Sequence, residues 1–449
     1  MTKRLLLPLV CLSLLLALAL TNCSGAKTPQ DYPAPDRSRM LTAEEVASDA
    51  QWLVGMIEDV HPIFLNIDAY AHLPSETYTQ AKEALLAHAS SPMSVQDFYL
   101  LCCRYTASLG DCHTGITAIG GAGLLPLSFY WNENGLYILD ENDSQSKGEQ
   151  VLTIGGVDVE AIGQVIDAHI AHENEPGRFF NRSNNVRSKT IHLAAGCLSG
   201  DSISLDVLLP SGDIEPRNIP YDMASMQSSS VKSFTYGLIE DGTIILITSN
   251  TFIEDDDAIA AATFLEAELS KGIQKVIFDV RQNTGGNSRV WDAFAHILGQ
   301  DGPHDGRFGV IRRFSDLAKS TVFAGANAQG AYDQFAPIYS PVLNSQLQLV
   351  MLTTERTYSS GVLAMTWAKD ILRATIIGRT PRNVVNHFGN PVQYTMPASH
   401  LRGYISSWQV FRPLPAPYPN NGAMVDIEVP FPEDILEYAV QYLQKSEAR

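Results

Sequence analysis

Two adjacent serines, Ser359 and Ser360, stand between an apolar strand-like run (Leu347, Leu349, Val350, Met351, Leu352) and a helix-like run from Val362 to Lys369. At a helix N-terminus the first backbone N–H groups lack intrahelical partners and the macrodipole end is positive. A serine there is either a preferred cap or a nucleophile whose alkoxide and neighbouring oxyanion are both favoured. A second group with useful chemistry is His113, in Gly110-Asp111-Cys112-His113-Thr114. It follows an expected helix end and lies on a turn rather than on an apolar face. A histidine at such a place can be a base or simply a turn residue. His61, in His61-Pro62, reads as structural. A third element is the break of the strand Lys275–Val280 into Arg281-Gln282-Asn283-Thr284-Gly285-Gly286. Two glycines there let the backbone approach another group closely.

These groups need elements to hold them. Thr42 with Glu45 three residues on forms a capping-box signature. Leu53, Met56, Ile57 and Val60 continue that helix at helical spacing. Two more helices are expected over 75–89 and 94–109, giving a helical amino-terminal region at 41–118. From there to residue 221 the signal turns to strands. Phe129-Tyr130, Leu136–Leu139, Val151–Ile154 and the alternating Ser202–Leu209 carry it, with turn residues between them. Residues 222–231 read as a linker. From about 230 to 449 strand, turn and helix alternate: Gly242–Ile247, a helix at Asp256–Ser270, Lys275–Val280, a helix from Arg289, then Leu349–Lys369 and Ala374–Gly378. That order argues for an α/β layer architecture.

The 449 residues suffice for two or three domains with a full-sized core. A formal net charge of −18 argues against nucleic acid or an anionic membrane surface as partner of the protein body. Lys3-Arg4 precede an uncharged apolar run, Leu5 to Leu20, which has the pattern of an export signal over 1–22. The run ends Leu20-Thr21-Asn22-Cys23, which resembles a bacterial lipoprotein processing site. The expectation is membrane attachment through lipidated Cys23, an extracytoplasmic location, and a flexible spacer over 23–40. Asn22 departs from the small residue usual before such a cysteine. Cys102, Cys103, Cys112 and Cys197 show no zinc-type spacing, and neither a metal nor a cofactor is expected.

Several of these stretches, in this order, resemble the C-terminal processing and tricorn-core serine peptidases, the tail-specific protease family. Phe278-Asp279-Val280-Arg281-Gln282-Asn283-Thr284-Gly285-Gly286 is similar to their Asp-Leu-Arg-x-Asn-x-Gly-Gly signature. Thr357-Tyr358-Ser359-Ser360-Gly361 resembles their nucleophile turn, and Asp111-Cys112-His113-Thr114 their Asp-Gly-His-Thr element. The Gly148–Val157 run resembles PDZ domains of bacterial proteases. The resemblance implies a helical region, a PDZ-like domain at 119–221, and an α/β core of spiral strand-helix, crotonase-like units. It implies a peptide or protein substrate, with Ser359 as nucleophile in preference to Ser360 and backbone N–H groups of Gly285 and Ser360 as oxyanion donors.

One branch of the family uses a lysine base after the position of Gly378. Val384 stands at that place and no lysine occurs in Arg379–His387, so the resemblance assigns the chain to the Ser/His branch with His113 as base. The family's frequent acid three residues after the serine is Val362 here, and Pro419 replaces the glutamate that orients the histidine in some relatives. Asp426 is a substitute for that acid or a structural cap. A binding protein on a retired peptidase scaffold and an esterase-type hydrolase are the rival readings.

Overall fold

The computed structural model describes residues 33–68, 75–120, 123–140, 146–197, 200–222, 231–299, 307–321, 330–340, 346–414 and 425–445. The export signal, Cys23, most of the 222–231 linker and Pro419 lie outside these. No helix among the described residues is long and apolar enough to cross a membrane.

The organising element is a sheet of six strands. Its order is Phe234–Ile239, Ile244–Ser249, Lys275–Asp279, Gln348–Thr353, Thr375–Gly378 and Ile427–Glu428. The first pair is antiparallel and the rest are parallel. Parallel strands are covered on both faces, so their sequences run apolar without alternation. Lys275–Asp279 is buried at all five positions. On one face Phe278 and Met351 pack against Ala261 and Leu265 of the helix Asp256–Ser270, Phe294 of Arg289–Gly299 and Met365 of Ser360–Asp370. On the other, Ile277, Val350 and Ile377 meet Ile435, Ala439 and Leu443 of Ile435–Lys445. Each large aliphatic side chain so buried contributes about 1.5–3 kcal/mol.

A second sheet, ordered Tyr332–Phe335, Gly309–Arg313, Arg402–Phe411, Phe388–Thr395, also pairs Gly115–Ile116 with Arg402–Phe411. It packs on the helices Ala43–Val60, Glu76–His88 and Val95–Ala107 through Leu53, Ile57, Phe98, Tyr105, Tyr394 and Ile405. The capping box at Thr42 and Glu45 is formed. The expected spacer is docked before its end. Arg37 donates to Gly120 O, Gln96 Oε1 and Thr190 Oγ1, and Met40–Leu41 pairs with Met93–Ser94.

The third body has its own core. Phe129–Asn132, Gly135–Leu139, Ser146–Ile154, Ser202–Leu208 and Ile214–Pro220 form its antiparallel sheet. Val159–His169 covers it through Ile162 and Ile166. The short helix read from Glu160 is the Val159–His169 helix, and two further helices were not read from the sequence. Glu175–Asn185 and Lys189–Ala194 are helical, with Asn174 capping the first and Pro176 in its opening turn.

Candidate active site

Both glycine-rich and serine-bearing turns leave the carboxyl ends of neighbouring parallel strands, where Asp279 faces Leu352. Open α/β sheets place ligands at such ends. The signature residues brace these turns. Asp279 takes a bidentate pair from Arg281 (2.9 and 2.8 Å). Buried Asn283 donates from Nδ2 to Ser249 Oγ (2.8 Å), accepts the Gly285 N–H at Oδ1 (2.8 Å), and accepts the Tyr358 N–H at its backbone oxygen (2.9 Å). Thr357 Oγ1 donates to Val280 O (2.9 Å) and Thr354 Oγ1 to Arg281 O (2.6 Å). The two loops are therefore one hydrogen-bonded unit.

Ser359 ends that unit with φ 53° and ψ −121°. That conformation is ordinarily left to glycine and costs about 1–3 kcal/mol. Strained strand-to-helix turns are a recurrent way of exposing a nucleophilic serine. Its N–H donates to Asn383 Oδ1 (2.8 Å), and its side chain makes no cap bond to the helix. Ser360, by contrast, is buried and its Oγ donates to Gly286 O (2.7 Å). The choice between two serines left by the sequence is thus a choice between a strained, uncommitted hydroxyl and a tethered one.

Gly285 lies against Ser359: a Cβ at this φ of +99° would stand 2.7 Å from the Ser359 Cβ. Its N–H, however, is taken by Asn283 Oδ1. This corrects the expectation of Gly285 as an oxyanion donor; what it supplies is space. Among the described residues, the backbone N–H groups of Ser360 and Gly286 donate to no protein acceptor. Ser360 N–H is at the open end of its helix, as expected.

His113 is brought to this turn by Tyr358. Their rings stack at 4.6 Å, and the Tyr358 hydroxyl donates to Cys112 O (2.8 Å). His387 stacks on His113 at 5.4 Å. His113 lies on a turn, as read from the sequence, but the turn is buried: the residue is 5% exposed, and both ring nitrogens are shielded from water with no hydrogen-bond partner. Burial pushes its pKa down to about 4, against the pull of Asp111. It is a neutral imidazole at physiological pH. The Ser–His hydrogen bond is not made here; in resting enzymes such bonds are commonly long and tighten with substrate. His387, the other nearby imidazole, donates from Nδ1–H to Val384 O (3.0 Å), and burial lowers its pKa to about 3.

Three acids surround or were assigned to this histidine. Asp111 is fully buried; Oδ1 accepts the His113 backbone N–H (2.8 Å), and Oδ2 meets His61 Nε2 (3.0 Å) and Thr114 Oγ1 (2.6 Å). Burial would raise its pKa, but the hydrogen bond and charge of His61, with His113 and Thr114, hold it well below the usual carboxylate range. His61 is structural, as expected, and holds the loop that carries His113. Asp426 is engaged elsewhere: it pairs with Lys369 and accepts the Ile376 N–H (2.9 Å). It is a structural brace. The third acid, Glu173, carries no motif and the sequence reading missed it. Its Oε2 accepts the Val384 N–H (2.9 Å), its Oε1 the Cys112 N–H (3.3 Å). Asp111, His113 and Glu173 hold their polar atoms within 4.8 Å of one another, in donor chemistry open to a metal ion. Asp111 already spends both oxygens on protein donors, which makes the set a poor metal cage.

A cavity of about 570 Å³ lies between the β-rich body and the core and reaches Thr354–Arg356 at the start of the serine turn; neither Ser359 nor His113 lines it. Tyr130, Trp131, Phe179 and Phe431 wall it, and Arg356 and Arg379 reach it from the core side.

Residues 243–394 match the family model described as Peptidase family S41. No curated protein matches the chain. Among solved structures, mature CPAF aligns with a TM-score of 0.63 at 15% identity, covering 90% of this chain and 96% of its own. Mature CPAF complexed with lactacystin aligns at 0.61 and 14%, covering 90% and 97%. At these identities the likeness is one of fold.

Proposed function

We infer, from the premise that this chain is a serine-type peptidase of family S41, that Ser359 and His113 cleave peptide bonds outside the cytoplasm. Ser359 Oγ attacks the carbonyl carbon and His113 takes its proton. The oxyanion is held by the N–H groups of Ser360 and Gly286. His113 then returns the proton to the leaving amine, and water hydrolyses the acyl-enzyme by the same steps in reverse. The substrate backbone approaches past the aromatic cavity beside Arg356. The observation that carries this reading is the strained, uncommitted Ser359 on the turn that also stacks Tyr358 on His113. A fluorophosphonate probe, which needs an activated serine, is the test. Labelling that maps to Ser359 is expected. The unmade Ser–His bond favours the rival scaffold that binds peptides without cleaving them, and a wild-type protein inert to the probe from about pH 6 to 9 establishes that rival instead.

The Leu20–Cys23 pattern supports anchoring through lipidated Cys23. A diacyl anchor supplies two chains, the number that stable attachment takes. Cys23→Ser is expected to move the protein from the membrane fraction to the soluble one or to block processing. An unmodified mature terminus downstream of Cys23, read by mass spectrometry, would refute the anchor.

A further inference from the structure

We propose that Glu173, delivered by the β-rich body, is the positioning residue that orients His113 and stabilises its imidazolium during turnover. The inference rests on the peptidase reading above and adds the acid which that reading lacks. Glu173 sits in the loop between the helices Val159–His169 and Glu175–Asn185. That loop is built into the site. Asn174 Nδ2 donates to Pro381 O (2.9 Å), and Cys112 Sγ to Ala171 O (3.3 Å). A Cβ on Gly177 would meet Arg382 O at 2.8 Å. The Arg382 guanidinium lies over the rings of Phe180 (4.3 Å) and Tyr358 (4.2 Å). Two backbone N–H groups, of Cys112 and Val384, aim the carboxylate. They come from the loop bearing His113 and from the position where the lysine branch keeps its base.

The other described acids considered for the role are engaged with partners of their own. Asp111 is held in place by His61, Thr114 and the His113 backbone N–H, three of its about four acceptor sites. Asp426 and Glu355 pair with Lys369 and Arg379. His113, meanwhile, has two buried nitrogens without partners. A small movement within the 4.8 Å cluster gives one to Glu173 and leaves the other for Ser359. The proton balance is simple: Ser359 Oγ–H is transferred to one nitrogen, and the N–H on the other then faces a carboxylate, which stays ionised.

The ionisation of Glu173 therefore becomes visible. The groups that act on it are Asp111, Cys112 and His113 from one loop, Tyr358 from the serine turn, and the Asn383 side chain with the Val384 N–H from the segment after Gly378. Burial first, and then the Asp111 charge, raise its pKa to about 7. His113 titrates much lower. The acidic limb of activity is then set by Glu173.

The test measures fluorophosphonate labelling rate against pH for the full chain and three variants at equal folded concentration. Wild type is expected to label with a midpoint near 7. Glu173→Gln is expected to label about 10²-fold or more slowly and to lose that midpoint, and Glu173→Asp to regain part of both. Asn174→Ala loosens the loop while keeping the carboxylate, so it should keep the midpoint. Glu173→Gln labelling at the wild-type rate and profile overturns this inference alone. Asn174→Ala reproducing the Gln profile overturns it too, by showing that docking and not charge is responsible. A wild type that does not label removes the nucleophile, and with it both readings.

Discussion

Ser359→Ala is expected to lower peptidase turnover by at least about 10⁴-fold, whereas Ser360→Ala lowers it by less than tenfold. The first removes the attacking atom; enzymes stripped of this one group keep only what binding and oxyanion contacts provide. The second keeps the Ser360 N–H and loses one bond from its hydroxyl to Gly286 O, a stability cost of about 1 kcal/mol. Turnover on an unstructured protein substrate, with both variants matched by circular dichroism, decides between them. The opposite ranking would move the nucleophile by one residue. The strain at Ser359 sharpens the result, because removing the side chain should relax what the turn imposes. Ser359→Gly should be inactive and yet more stable than wild type in denaturant melts, by about 1 kcal/mol.

His113→Ala should lower turnover by about 10³-fold or more, and it should not be structurally silent. The ring is buried between Tyr358 and His387, so its loss leaves a hole worth about 2 kcal/mol. Activity must be compared on folded protein. The pH dependence of stability gives an independent readout. His113 titrates near 4 folded and near 6.5 unfolded, so between those values the unfolded chain binds more protons. The wild type loses stability as pH falls from about 6.5 through 4. In His113→Ala that loss should shrink, although His387 and His192, also depressed by burial, keep part of it. Melts at pH 7 and pH 4.5 show the difference. Unchanged activity would make the histidine structural and turn attention to His387.

The parts of this protein that could be read in advance are those whose sequence is shaped by one local rule. The helix Asp256–Ser270 and the strand Lys275–Asp279 fall where helical register and an unbroken apolar run put them. The serine and glycine turns follow because each interrupts such a run. The strands Phe388–Thr395 and Arg402–Phe411 were missed. The first carries Gly389, Asn390 and Pro391, which locally speak for a turn, and its register with the second is a tertiary fact. The burial of His113 was missed for the same reason: Tyr358 and His387 cover it, and neither is near it in sequence. Glu173 could not have been found at all by motif. Its meaning comes from a loop of one body pressed against two loops of another. Gly285 lies against Ser359, but its N–H is turned to Asn283 Oδ1, a direction that no sequence pattern carries.

The hydroxyl of Tyr358 closes on Cys112 across 246 residues of chain. A contact so distant in sequence forms late, after loop-closure entropy has been met by many other pairings. Until then Ser359 exists apart from His113, the base we propose for it. For a chain that we propose leaves the cytoplasm, this amounts to a safeguard written in connectivity. A polypeptide threaded unfolded through an export channel has no hydrolytic power on either side of it. The protein becomes dangerous to its neighbours only when its first and last thirds have met.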